Sequence, residues 1–430
     1  MTMTRYRLPA FRPAPATPAT VQPVLGSAPA ASTIPHHLQP FFGQAFFRDW
    51  GVAGVYRPHN PPRPGQAHRL CDYLIYFRDR LILIALPELL FEDEQPMLEQ
   101  LQAFRKKQVH RARRNLDQTE AYIRSGQPVY ADVDCRQPWQ PGSLARIDKI
   151  CITTLMERTG SGEQAVLHGY DRAYYEEEQI GDETSSPVQM FSAGAFTQLV
   201  QVLDNFADLL NYLTFQSLLI ADETQPFDCE NDLLNRFIEE GHVFAHARML
   251  AEMQQPSEPR LIRFWSPAGP EQALATFKQV RQESALWDQF AAAYRQRLRE
   301  VMKTQQEMQA AQTLADYRWL LSSLVDECHA SRWRLAQVLL LRLAQPRSQD
   351  GEALVAVCRS YTRAERLFLF CFYSEQAGHA HARAQLQGQL SEQGRQVAAQ
   401  QLVPVQEVIV VGVSTEQGLP VSADVVYVRV

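Results

Sequence analysis

Residues 71–90 read CDYLIYFRDRLILIALPELL, and this stretch decides the fold. Two apolar runs of strand length, Tyr73–Phe77 and Leu81–Leu86, flank the charged turn Arg78-Asp79-Arg80. A strand with one wet face alternates apolar and polar residues. A nearly continuous apolar run belongs to a strand covered on both faces. Pro87 has no N–H to give to a ladder, so it ends the second strand. Cys71 to Leu90 is therefore expected as a buried β-hairpin in an α/β protein.

Downstream, the period changes to 3.6. Between Gln95 and Ser125 the residues Leu98, Leu101, Phe104, Val109, Ala112, Leu116 and Ile123 can share one helical face, and Gly126 is a stop. Strands are expected at Pro128–Val133 and within Ala145–Leu155. The order β-β-α-β-β predicts a mixed sheet with a crossover helix, flanked by helices. Upstream, residues 57–66 (RPHNPPRPGQ) form a proline-rich loop. Phe41, Phe42, Phe46, Phe47 and Trp50 predict a short buried helix. Residues 8–35 are rich in Pro, Ala and Thr, too poor in burial to repay their ordering entropy.

Beyond the hairpin unit, residues 156–187 are a polar and acidic excursion. Helices are expected at Phe196–Leu219, Glu230–Met253, Glu271–Lys303 and Leu314–Leu343. Strands return at Leu367–Tyr373, Glu407–Val413 and Asp424–Val430, with a helix near Gly378–Leu402; these strands either join the first sheet or form a second. The prolines of residues 255–270 mark a boundary. The expected organisation is a disordered tail (1–36), a nuclease-like α/β domain (37–160), an acidic and helical region (161–260) and C-terminal helices and strands (261–430). The fold class is α/β, mixed in the α+β sense.

The bulk numbers exclude several functions. The chain has 430 residues and a formal net charge of −6, so any nucleic-acid binding must use a local patch. Its 7 cysteines are odd in number, with no two in C-x-x-C spacing, which argues against a disulfide framework or zinc ribbon and for a reducing, cytoplasmic compartment. No apolar run approaches the ~20 residues of a membrane span, so no membrane partner is expected. No P-loop, nucleophile elbow or dinucleotide fingerprint appears.

The hairpin also holds the most informative chemistry. A metal-dependent nuclease needs one carboxylate at a strand end, plus an acid and a lysine two apart on the next strand. The acids hold Mg²⁺ and the lysine orients water. Asp72 stands where the first carboxylate belongs. Ala85 and Pro87 stand at the other two positions and can bind neither metal nor proton. Relocated candidates are Glu88 for the acid, with Asp72 and Glu88 as the metal ligands, and Lys106 or Lys107 for the lysine. The commoner use of Glu88, Glu92, Asp93 and Glu94 is to cap the N-terminus of the following helix and complement its dipole. The following helix carries Arg105, Lys106, Lys107, His110, Arg111, Arg113 and Arg114. Arg105, Arg111, Arg113 and Arg114 are the candidate contacts to a phosphate backbone, against a solvated face or pairing with the acidic 176–183 stretch. Asp204 and Asp208, spaced i and i+4, suit acid/base work or a metal, against helix capping, surface exposure or a polar contact to the neighbouring domain. His242 and His246 share that spacing but lack a third zinc ligand.

RLCDYLIYFRDRLILIA (69–85), FRKKQVHRARRNLDQTEAYIRSG (104–126) and KICITTL (149–155) together resemble an uncharacterised bacterial protein family. Its N-terminal half is similar to PD-(D/E)XK restriction-endonuclease-like domains. LVQVLDNFADLLNYLTFQSLL (199–219), with Asp204, Asp208, Tyr212 and Leu213, DCENDLLNRFI (228–238) and EVIVVGVSTEQGLPVSADVVYV (407–428) extend the resemblance. The resemblance implies a nuclease-like core whose lysine position holds Pro87. The leading expectation is a catalytically degenerate nuclease-like protein, a nucleic-acid-binding or assembly module in bacterial genome maintenance or defence, with no assigned cofactor. The alternatives are an active Mg²⁺-dependent endonuclease with relocated acid and lysine, and a protein-interaction scaffold without nucleic-acid binding.

Overall fold

A computed structural model describes residues 3–6, 50–58, 67–92, 95–136, 138–139, 144–158, 164–166, 188–221, 230–254, 263–304, 321–343, 354–374, 405–416 and 419–429. In chain order the first elements are β1 (Met3–Tyr6), β2 (Gly51–Arg57), β3 (His68–Phe77), β4 (Arg80–Ala85) and β5 (Glu88–Leu90). Then follow α1 (Met97–Phe104), a π-helical turn (Arg105–Val109), α2 (His110–Arg124), β6 (Val129–Tyr130), β7 (Pro138–Trp139), β8 (Arg146–Arg158), β9 (Gln164–Val166) and β10 (Val188–Ser192). The remainder is α3 (Ala193–Val202), α4 (Phe206–Ala221), α5 (Glu230–Glu239), α6 (Ala245–Gln254), α7 (Pro270–Thr304), α8 (His329–Leu343), β11 (Leu354–Arg359), β12 (Arg366–Ser374), β13 (Glu407–Glu416) and β14 (Leu419–Arg429). The class is mixed α/β, as expected. The chain divides into two units, one of Thr17–Asp204 with Leu209–Arg236, the other of Met1–Ala16, Asn205–Asp208 and Phe237–Val430.

The first unit is built on a nine-stranded mixed sheet of order β10-β8-β4-β3-β2-β6-β7, with β5 and β9 also on β8. The hairpin is its centre. Tyr73 faces Ile84 and Phe77 faces Arg80 across an antiparallel pair, leaving Arg78 and Asp79 as the turn. Arg78 takes φ 57, the left-handed conformation that a two-residue hairpin turn demands. Tyr73, Leu74, Ile75 and Leu81 to Ala85 are all buried, the reason their sequence does not alternate. The ladder of β4 stops before Pro87, and the chain resumes as β5 alongside β8, with the Thr154 N–H donating to the Pro87 carbonyl at 3.0 Å.

β2, β3 and β4 form an antiparallel meander. The chain then crosses over through α1, the π turn and α2 to β8, which runs parallel to β4, and β10 is parallel to β8 in turn. Leu101, Phe104, Val109, Leu116 and Ile123 of the crossover pack on Leu74, Leu81, Leu83, Ile147 and Cys151 of the sheet. The π turn explains a break in the expected period. Phe104 and Val109 are five residues apart, and the wider turn, closed by the His110 N–H on the Arg105 carbonyl, returns both to the core. Leu98, expected on the apolar face, is exposed. The strand expected at 128–133 shrinks to Val129–Tyr130.

The second unit holds a five-stranded sheet of order β1-β14-β13-β12-β11, separate from the first. β12 and β13 are parallel and the other pairs antiparallel. Met3–Tyr6, inside the segment expected as a tail, pairs with β14, a backbone ladder that needs no apolar sequence. Trp287 of α7 is fully buried, edge-on to Phe368 and Phe370 of β12 at 5.4 and 6.3 Å. Three expected helices are broken, among them the run 314–343, which is interrupted at residues 326–328 before α8. The run 196–219 is split between α3 and α4, where the Asn205 side chain caps the new start by accepting from the Asp208 N–H at 2.9 Å. The run 230–253 is split at Gly241, whose φ of 73 ends α5. The helix expected at 378–402 and the aromatic residues 41–47 lie outside the described residues.

Candidate functional site

Asp72 sits on β3 beside the end of β4, at the carboxyl edge of the parallel strands, where open α/β sheets bind ligands. Both carboxylate oxygens are engaged. Oδ2 accepts from the backbone N–H of Leu86 at 2.6 Å, and Oδ1 lies 3.2 Å from the Arg69 guanidinium. The side chain keeps 28% of its surface exposed. Ala85 and Pro87 complete the edge without a polar side-chain atom.

Glu88 opens β5 and is partly buried. Burial first, and the Asp72 charge second, push its carboxyl above the usual carboxylate range. The charge of Asp72 is thus felt at Glu88. The lysines do not complete the relocated metal site. Lys106 and Lys107 lie exposed on the π turn. Among the described residues, no group of three or more His, Cys, Asp or Glu side chains is arranged to hold a metal. Cys151, one strand over, is fully buried, and desolvation pushes its thiol up to about 12, against the lowering effect of Arg113. It is no nucleophile at neutral pH. Of the acids that follow Glu88, Glu92 is tied through its backbone N–H and carbonyl to the Gln100 side chain of α1. Asp93 and Glu94 lie outside the described residues.

The basic residues of the crossover divide into two sets. Lys106, Lys107, Arg111 and Arg114 are exposed; Arg105 and Arg113 are half-buried. The charge of Arg113 is felt at the buried Cys151, where it opposes the rise of the thiol. From residue 102 to 115 the crossover has six Lys or Arg and no Asp or Glu.

Reading the sequence alone missed Lys149. It stands mid-strand on β8 with no exposed side-chain surface, its Nζ 2.6 Å from Asp117 Oδ1 and 2.7 Å from Glu120 Oε2 of α2. Glu120 also pairs with Arg124 at 2.9 Å. Burial pushes the Glu120 carboxyl up, but hydrogen bonds and charge from Lys149 and Arg124 prevail and hold it below the usual range. The signal was a charged Asp148-Lys149 pair inside an apolar strand. Asp148, the other member, is clamped by Arg80 at 2.9 Å and Arg146 at 2.7 Å.

The remaining candidates separate. Asp204 lies between α3 and α4, so it does not share a helical face with Asp208. Asp208 instead meets His329 of the same unit. Its Oδ2 accepts from the His329 backbone N–H at 2.9 Å and from Nδ1 at 2.6 Å, and from Asn205 Nδ2 at 2.7 Å. Burial pushes Asp208 up, yet these partners hold it below the usual range. An ionised Asp208 makes Nδ1 the donor, so the 2.9 Å approach of Asn205 Nδ2 to Nδ1 brings two donors together. Both Asp208 and His329 are buried, and the pair clamps the start of α8. His242 and His246 do not converge. The break at Gly241 turns His242 toward Glu240 at 2.9 Å, while His246 bonds the Thr362 carbonyl at 3.1 Å.

No family model, curated protein or solved structure matches the chain. Among the described residues no helix is long and apolar enough to cross a membrane.

Proposed function

We propose that the chain is a catalytically degenerate, nuclease-like protein that binds nucleic acid through the outer face of its crossover helix. The observation that carries this reading is the acid-free run of residues 102–115, which exposes Lys106, Lys107, Arg111 and Arg114 on a chain of net charge −6. A cationic stripe of this kind releases counterions when it meets a phosphate backbone. The three-strand meander, crossover helix and parallel fourth strand support the likeness to PD-(D/E)XK domains. Ala85, Pro87 and the two bonds that occupy Asp72 support loss of catalysis. The setting in bacterial genome maintenance or defence rests on the family resemblance.

The test is equilibrium titration of labelled DNA and RNA oligonucleotides at several salt concentrations. Four engaged cations predict a log–log salt slope of roughly −3 to −4. Arg111→Glu with Arg114→Glu should flatten the slope and weaken binding at least tenfold, on the order of one decade per lost pair of phosphate contacts. Absence of salt-dependent binding would leave the protein-interaction scaffold as the better reading. The second reading is an active Mg²⁺-dependent endonuclease with Asp72 and Glu88, whose carboxyl feels the Asp72 charge, as the relocated acids. Cleavage in Mg²⁺ or Mn²⁺ that Asp72→Ala abolishes would establish it in place of the degenerate one.

A further inference from the structure

Helix α2 contains two acids, Asp117 and Glu120, and Lys149 of β8 faces both. Asp117 lies three residues after Arg114 and four after Arg113, the spacing at which helical side chains meet. Its side chain is 43% exposed, so it has room to turn toward solvent and pair with Arg114. The buried ammonium of Lys149 gives Asp117 a nearer partner in a less polar setting, where the attraction is stronger. Glu120 has a second cation in Arg124, so Asp117 is the acid whose partner depends on Lys149.

Resting on the nucleic-acid reading above, we propose that Lys149 is a positioning residue for binding. It holds Asp117 inward and keeps that carboxylate off the cationic face, so that the exposed Arg114 remains available to phosphate. The sequence pattern alone would place an acid one turn beyond the stripe and cancel part of it. The sheet removes that acid from play through one buried lysine.

Lys149→Met releases Asp117. Binding to fluorescein-labelled DNA and RNA duplexes should then weaken about fivefold, with the salt slope reduced by roughly one. Asp117→Asn added to Lys149→Met should restore both the affinity and the slope, which a merely displaced helix would not allow. Unchanged binding in Lys149→Met, or no recovery in the double variant, overturns the proposal. If Lys149→Met does not fold, two variants that keep Lys149 decide. Asp117→Asn should change affinity by less than about twofold, because Lys149 already neutralises that charge. Gln118→Glu, exposed and without such a partner, should weaken binding about fivefold. A severalfold gain in Asp117→Asn overturns the proposal. A wild-type chain that binds while these variants behave otherwise refutes only the role of Lys149. A wild-type chain that shows no salt-dependent binding refutes the underlying reading and this one with it.

Discussion

Asp72 is the residue at which a preserved frame and an active centre make opposite demands. Its Oδ2 holds the N–H of Leu86 at 2.6 Å, and Leu86 is buried, so no water takes over that donor easily. A hydrogen bond to a charged group contributes about 1.5–3 kcal/mol. The Arg69 pair, with side chains 37% and 28% exposed, adds only about 0.2–1 kcal/mol after solvent screening. Asp72→Ala should therefore cost about 2–4 kcal/mol, by the sum of these two contributions. Asp72→Asn keeps an oxygen for Leu86 and should cost about 1–2 kcal/mol, the loss of charge alone. Urea titration followed by circular dichroism measures both, and hydrogen exchange of the peptide that spans Leu86 locates the loss. With a slope of about 1–3 kcal/mol/M the alanine variant shifts the midpoint by roughly 1 M or more. An Asp72→Ala variant of unaltered midpoint and unaltered Leu86 exchange would refute the frame reading. Metal-dependent cleavage lost in both variants at unchanged stability would refute it more directly.

Three further outcomes follow from the same structure. Glu88 has a folded-state pKa raised by burial and by Asp72, so its favourable contribution is complete below the unfolded value of about 4.3 and is lost as pH rises through the folded value. Glu88→Gln should raise the urea midpoint at neutral pH and leave it unchanged in acid; a lower midpoint at neutral pH contradicts this sign. Arg366 is fully buried among Glu327 at 2.6 Å, Glu407 at 2.8 Å and Asp326 at 3.1 Å, so Arg366→Met removes the cation these carboxylates share, with Asp326 keeping Arg363 at 2.7 Å, and should cost on the order of 3–5 kcal/mol. Glu327→Gln on that background should recover part of the loss, which a double-mutant cycle by thermal unfolding reads directly. A Cβ on Gly51 would lie 2.1 Å from the hydroxyl of the fully buried Tyr73, so Gly51→Ala should destabilise by about 1–3 kcal/mol, and an unaltered melting temperature would show that the ring can move.

The hairpin, the crossover helix and the C-terminal strands could be read from the chain because their signals are local, whereas the choice between joining the first sheet and forming a second was left to the tertiary structure. Continuous apolar runs at Tyr73–Phe77 and Leu81–Leu86 require two covered faces, and Pro87 breaks a ladder wherever it stands. The basic run 105–114 is likewise visible in one dimension. Where helices stop was less visible. Asn205 and Gly241 interrupt apolar periods that continue on either side, and Asn205 acts as a cap only because Asp208 offers its N–H in the finished structure.

Tertiary structure alone decided which charges act and which are spent. Asp72 looks like one ligand of a metal site in the sequence, yet the fold gives its oxygens to Leu86 and Arg69. Asp117 looks like a break in the basic helix, yet Lys149, 32 residues away, draws it to the sheet. Asp208 meets His329 across 121 residues, and Arg366 gathers its acids from separate segments. Burial of apolar residues follows from their own chemistry and can be anticipated one residue at a time. The partner of a charge is set by distance and local dielectric, and these exist only after the chain has folded.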